Sequence, residues 1–85
     1  MELVIEKDAA RRLRDLAQKR QIKLLETLER IAANPFADHA NVKPLKGYSN
    51  TFRYRLGDWR AVYVIDVKAQ QMRVTRMGPR GEVYE

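Results

Sequence analysis

Residues 2–6, ELVIE, form a short apolar run rich in β-branched side chains, the pattern of a buried strand, and Asp8 follows as a helix N-cap. From Ala9 the period changes. Ala9, Leu13, Leu16 and Ala17 recur at spacings of three and four, one apolar stripe with Arg11, Arg12, Arg14 and Asp15 outside it. After the polar Gln18-Lys19-Arg20-Gln21, a second series of Ile22, Leu25, Leu28, Ile31 and Ala32 resumes in a new phase, until Asn34-Pro35 stops it. The expectation is a strand leading into a helical hairpin whose charged outer face is solvated.

Residues 36–50, with Pro44, Gly47 and Ser49-Asn50, read as a loop with at most a short extended piece around residues 42–45. Beyond it the period becomes two: Phe52, Tyr54 and Leu56 alternate with Arg53 and Arg55. Gly57-Asp58 has glycine in the first central position, where a type II′ hairpin turn needs it. Residues 59–66 are the return strand and residues 71–77 a third. Residues 67–70 contain no diagnostic turn pair, so that register stays open. Residues 78–81 form a loop and Val83-Tyr84 a short extended end. A strand, two helices and then consecutive strands give an α+β fold. It is a mostly antiparallel sheet of about four strands with the hairpin packed on one face, a single domain over residues 1–85.

With two loop residues the hairpin register pairs Leu56 with Trp59, Arg55 with Arg60, Tyr54 with Ala61 and Arg53 with Val62. Side chains alternate faces, so Arg53, Arg55 and Arg60 share one face, while Phe52, Tyr54, Leu56, Trp59, Ala61 and Tyr63 form the helix-covered core. Arginines opposite each other across a ladder destabilise it by a few tenths to about 1 kcal/mol. Folding does not require that arrangement; a polyanion site does, because guanidinium forks match phosphate oxygens. Arg73 or Arg76, together with Arg80, adds charge nearby. Tyr48 lies in a basic loop with Lys43 and Lys46, and the single histidine, His39, reads as an incidental loop residue.

Charge sharpens this picture. The 85 residues carry 17 Lys plus Arg against 11 Asp plus Glu, a formal charge of +6. Up to Val42 there are 8 basic and 7 acidic residues, and from Lys43 onward 9 and 4. Five of the six net charges therefore lie in the strand-rich half, the clustering that neutralising phosphates needs. A domain of this size buries only about 60–65% of its unfolded surface, which excludes a deep cleft. With no cysteine and one histidine, a disulfide framework, a Cys-ligated metal, a thiol nucleophile and a Ser-His-Asp triad are all excluded, and a reducing, cytoplasmic setting is expected. No signal peptide, membrane span or cofactor is expected.

Lys43-Pro44-Leu45-Lys46-Gly47, Phe52-Arg53-Tyr54-Arg55-Leu56, Trp59-Arg60-Ala61-Val62-Tyr63, and Met77-Gly78-Pro79-Arg80 with Glu82-Val83-Tyr84 together resemble the RelE branch of the RelE/ParE toxin superfamily, in order and spacing over nearly the whole chain. The resemblance implies the toxin of a type II toxin–antitoxin pair, a ribosome-dependent endoribonuclease. Such a toxin cuts mRNA in the A site without a metal and is restrained by a cognate RelB-like antitoxin. It places the active site on Arg53, Arg55, Arg60, Arg80 and Tyr84, with Arg60 and Arg80 as phosphate clamps and Tyr84 stacking a base or accepting the 2′-proton. Lys43, Lys46, Arg73 and Arg76 are expected RNA contacts. RelE carries lysines where this chain has Arg53 and Arg55, and arginine, with a pKa above about 12, suits phosphate binding better than proton transfer. The competing expectations are a ParE-like inhibitor of DNA gyrase without nuclease chemistry and a non-enzymatic RNA-binding module.

Overall fold

A computed structural model describes residues 1–82 of the chain. The apolar run at the start forms strand β1 (Glu2–Ile5), and helix α1 (Lys7–Leu13) follows at once. Its N-cap is Glu6, which makes no side-chain capping bond; the expected cap, Asp8, sits instead in the first turn, where its charge complements the helix dipole. The helix stops at Leu13, earlier than the stripe suggested, and Leu16 is buried in the turn that follows while Ala17 is exposed.

Helix α2 (Gln18–Ala33) buries Leu24, Leu28, Ile31 and Ala32. The expected series began at Ile22, which is 50% exposed. At 3.6 residues per turn Ile22 lies about 120° round the helix from Leu28, whereas Leu24 and Ile31 lie within about 60° of it on the opposite side. Gln21 takes a position on the inner side and satisfies its amide by donating from Nε2 to the Leu16 carbonyl at 2.7 Å.

Four more strands complete the sheet: β2 (Val42–Pro44), β3 (Thr51–Leu56), β4 (Trp59–Asp66) and β5 (Gln71–Pro79), in the spatial order β1-β5-β4-β3-β2. The extended piece around residues 42–45 is thus an edge strand, making five strands among the described residues where about four were expected. All neighbours are antiparallel except β1 and β5, which run parallel with Glu2 opposite Gln71. The open β4–β5 register resolves as Asp66 opposite Gln71. Ala69 N–H donates to Asp66 Oδ1 at 3.0 Å, and Gln70 takes a positive φ of 54° to close the loop.

The core lies between the helices and one sheet face. Leu13, Leu16, Leu24, Leu28 and Ile31 meet Tyr54, Trp59, Ala61, Tyr63, Ile65, Met72, Val74 and Met77, with Phe52 and Leu56 partly buried at the margin. This is the face expected from alternation. No helix among the described residues is long and apolar enough to cross a membrane.

Tyr63 is the largest fully buried side chain, its ring stacked on Phe52 at 5.5 Å between centroids. Its hydroxyl meets no hydrogen-bond partner among the described residues, and burial pushes the phenol pKa upward. An unpaired buried hydroxyl is unfavourable, so Tyr63→Phe is expected to raise stability by about 1 kcal/mol at neutral pH. Because the phenol pKa is raised on folding, the unfolded chain releases this proton first. Stability should then fall as pH passes about 10, by up to about 1.4 kcal/mol per pH unit, and the phenylalanine variant should lose less. Urea unfolding at pH 7 and pH 11 measures both effects. A less stable variant at pH 7 would show that the hydroxyl is paired.

Candidate nucleic-acid interface

The β3–β4 hairpin organises the cationic face. Gly57 adopts φ 60° and Asp58 stays out of the positive region, the combination that a type II′ turn requires. The resulting register pairs Arg55 with Arg60 and Arg53 with Val62, as the turn predicted, so Arg53, Arg55 and Arg60 stand on the face opposite the helices. On the edge strand Lys43 pairs with Arg53 and joins them. Lys43, Arg53 and Arg55, with Asn41 and Val42, line a shallow depression of about 170 Å³.

The arginines differ in exposure. Arg55 is open to solvent and Arg53 half-buried. Arg60 is only 5% exposed, and its Nη1 donates to the Gly57 carbonyl at 3.0 Å and, more weakly, to the Trp59 carbonyl at 3.4 Å. Arg60 thus holds the expected register position while bracing the turn. The Gly57 and Trp59 carbonyls offset the cost of burying one member of the facing pair Arg55–Arg60.

Arg80 arrives at the same end of the sheet. Its amide donates to the Asp58 carbonyl at 2.6 Å, and its side chain is exposed. Arg12 steadies the following residues, with Nη2 3.2 Å from Glu82 Oε1 and its guanidinium carbon 5.9 Å from the Trp59 ring centroid, within cation–π range. From the other side of the hairpin, Arg20 Nη2 donates to the Leu56 carbonyl and to Asp58 Oδ1, each at 3.1 Å. A Cβ on Gly57 would stand 3.4 Å from that same nitrogen. Neither Arg12 nor Arg20 was singled out in the sequence. Both occupy polar helix positions, and although Arg12 also pairs locally with Asp15 at 3.4 Å, the contacts each makes with this end of the sheet are far away in the chain.

Strict alternation would place only one of Arg73 and Arg76 on this face. A bulge resolves the matter: Val62 pairs with Arg76 but Tyr63 with Val74, leaving Thr75 as the extra residue. Arg73, opposite Val64, and Arg76, opposite Val62, therefore both belong to the cationic face. Arg73 is partly neutralised by Glu6, with Nε and Oε2 3.5 Å apart; Arg76 is exposed. Lys46 is exposed in the loop after β2. His39 Nε2 lies 2.7 Å from the Asn34 carbonyl, away from these cations, and acts as a loop contact. Tyr84 lies outside the described residues.

This five-stranded sheet covered by helices on one face has the fold of solved RelE toxins. The archaeal RelE–RelB complex from Pyrococcus horikoshii OT3 matches with a TM-score of 0.80 at 25% identity, over 96% of this chain and 97% of that one. The isolated E. coli RelE toxin matches with a TM-score of 0.80 at 21% identity, over 93% and 83%. The YoeB/ParE toxin from Agrobacterium tumefaciens matches with a TM-score of 0.78 at 20% identity, over 94% and 99%. None of the curated protein sequences matches this one. The family model described as ParE toxin of type II toxin–antitoxin system, parDE, matches residues 3–84. The chain belongs to this family, within the RelE/ParE superfamily of type II toxins.

Proposed function

We propose that this toxin is an endoribonuclease that cuts mRNA in the ribosomal A site and is held inactive by a RelB-like antitoxin. One observation carries the reading: Lys43, Arg53 and Arg55 converge on an open sheet face, at the end where Arg60 and the Arg80 backbone are fastened to one hairpin turn. Attack by a ribose 2′-oxygen on the adjacent phosphorus forms a 2′,3′-cyclic phosphate and expels the 5′-oxygen. Negative charge grows on the phosphoryl oxygens in between, and fixed guanidiniums stabilise it without reorganising. Arg53 and Arg55 serve as phosphate ligands, not proton carriers. Arg80, exposed on a tethered backbone, is the clamp at the reacting phosphate, and Arg60 sets the turn that aims it. Tyr84 is assigned base stacking and acceptance of the 2′-proton.

An open, shallow face suits a toxin that uses the ribosome as the opposite wall. The P. horikoshii toxin is a solved RelE–RelB complex, and an antitoxin for this chain is part of the same reading. Purified protein added to translating ribosomes should give mRNA ends within A-site codons. The ParE description of the family model gives the other outcome its weight: intact mRNA with inhibited gyrase supercoiling would overturn the nuclease reading. RNA binding without any cutting would leave only a binding module.

A further inference from the structure

The cationic face changes character along its length. From the hairpin turn inward, the β3 positions on this face are Arg55, Arg53 and Thr51, and those on β4 are Arg60, Val62 and Val64. Leu45 extends the β2–β3 ladder, its amide donating to the Thr51 carbonyl at 2.9 Å, so its side chain falls on this face. There it packs on Val62 in a small hydrophobic cluster separate from the main core. Around that floor, Leu45, Tyr48, Thr51, Val64, Thr75 and Arg76 enclose a hollow of about 250 Å³.

The chemistry of the hollow is specific. It has an aliphatic floor, one aromatic wall in Tyr48, which is 51% exposed, two threonine hydroxyls and one guanidinium, and no acidic side chain among the described lining residues. Thr51 Oγ1 donates to the Ser49 carbonyl at 2.9 Å, and Thr75 Oγ1 lies 3.5 Å from the Val62 carbonyl, which leaves oxygen lone pairs as acceptors. Thr75 reaches the site only because it is the bulged residue. The volume is below the roughly 300–1,000 Å³ of pockets for drug-sized ligands and suits one planar ring system. Thr51 is one same-face step from Arg53, about 6.6 Å along a strand, and Arg76 stands at the rim itself.

We propose that this hollow is a nucleobase subsite, in which a base of the bound single-stranded RNA stacks on Tyr48 while its backbone runs over Arg53 and Arg76. The subsite rests on the reading that this face binds RNA. It adds recognition of one unpaired base next to the phosphate cluster, by stacking, which tolerates any base, and by edge contacts to Thr51, Thr75 and Arg76.

The test uses the full chain and a short 2′-O-methyl RNA, which binds but cannot be cut, in fluorescence anisotropy, with a single abasic site walked along the strand. One position should weaken binding by about 5- to 150-fold, the equivalent of one stacked base. That penalty should disappear in Tyr48→Ala and persist in Tyr48→Phe. Abasic sites with no effect at any position, or a penalty unchanged in Tyr48→Ala, overturn the subsite. So does a Tyr48→Ala variant that loses only antitoxin affinity, which would make the hollow a protein-docking site. Wild-type cleavage on ribosomes reports the nuclease reading separately. Uncut mRNA together with a Tyr48-dependent abasic penalty removes the nuclease and keeps the subsite; no binding of the free RNA removes the subsite, whatever the ribosome assay shows.

Discussion

Arg80→Ala is expected to slow A-site mRNA cleavage by about 10²- to 10³-fold, the loss typical of removing one preorganised donor to a developing oxyanion, while leaving urea unfolding within about 0.5 kcal/mol of wild type. The separation of the two effects follows from how Arg80 is held. Its backbone amide bonds to Asp58, and its side chain is exposed, so truncation removes the guanidinium and keeps the anchor. Arg80→Lys, which keeps the charge but loses the bidentate fork, should fall between. Arg60→Ala makes the contrast: its guanidinium braces the Gly57 carbonyl, so activity and stability should drop together. Primer extension on mRNA recovered from translating ribosomes measures the rates. Unchanged cleavage by Arg80→Ala would remove this residue from the site.

The largest stability effect is expected at Leu24. This side chain is fully buried between α2 and the sheet, and Leu24→Ala should cost about 2–5 kcal/mol through lost transfer energy and the cavity left behind. Against the roughly 5–15 kcal/mol available to a folded domain, that approaches unfolding. Ile22→Ala, two residues away on the same helix and half exposed, should change stability by about 0.5 kcal/mol or less. Urea midpoints of the two variants check the pair. Comparable losses at both positions would mean that the helix presents the face anticipated from Ile22 and Leu25.

That pair also shows where local pattern runs out. A stripe through Ile22, Leu25 and Leu28 and one through Leu24, Leu28 and Ile31 are both compatible with a 3.6-residue period, and only contact with the sheet selects between them. The hairpin was legible because Gly57-Asp58 ties register to a turn type, and register then dictates faces for Arg53, Arg55 and Arg60. The bulge at Thr75 was not, because its sequence, Arg73-Val74-Thr75-Arg76, carries no glycine or proline to mark an irregular residue. Arg12 and Arg20 were invisible for a related reason. Their long-range partners, Glu82 and Trp59 for the first and Leu56 and Asp58 for the second, become neighbours only after the sheet has closed.

The parallel pairing of β1 with β5 sets the order in which this molecule is assembled. Glu2 and Gln71, partners in that ladder, are 69 positions apart. During synthesis at roughly 5–20 residues per second, β1 therefore waits on the order of 3 to 14 seconds for the strand that fills the space between it and β4. Such distant pairing raises contact order and slows folding. Until β5 is inserted, β4 is an unprotected edge, Trp59, Ala61 and Tyr63 lack their partners on that strand, and the segment bearing Arg80 is not yet fastened to the hairpin turn. The Arg55–Arg60 hairpin can form early, but a toxin of this family gains the full sheet, with Arg73 and Arg76 in register beside β4, only once β5 has been made.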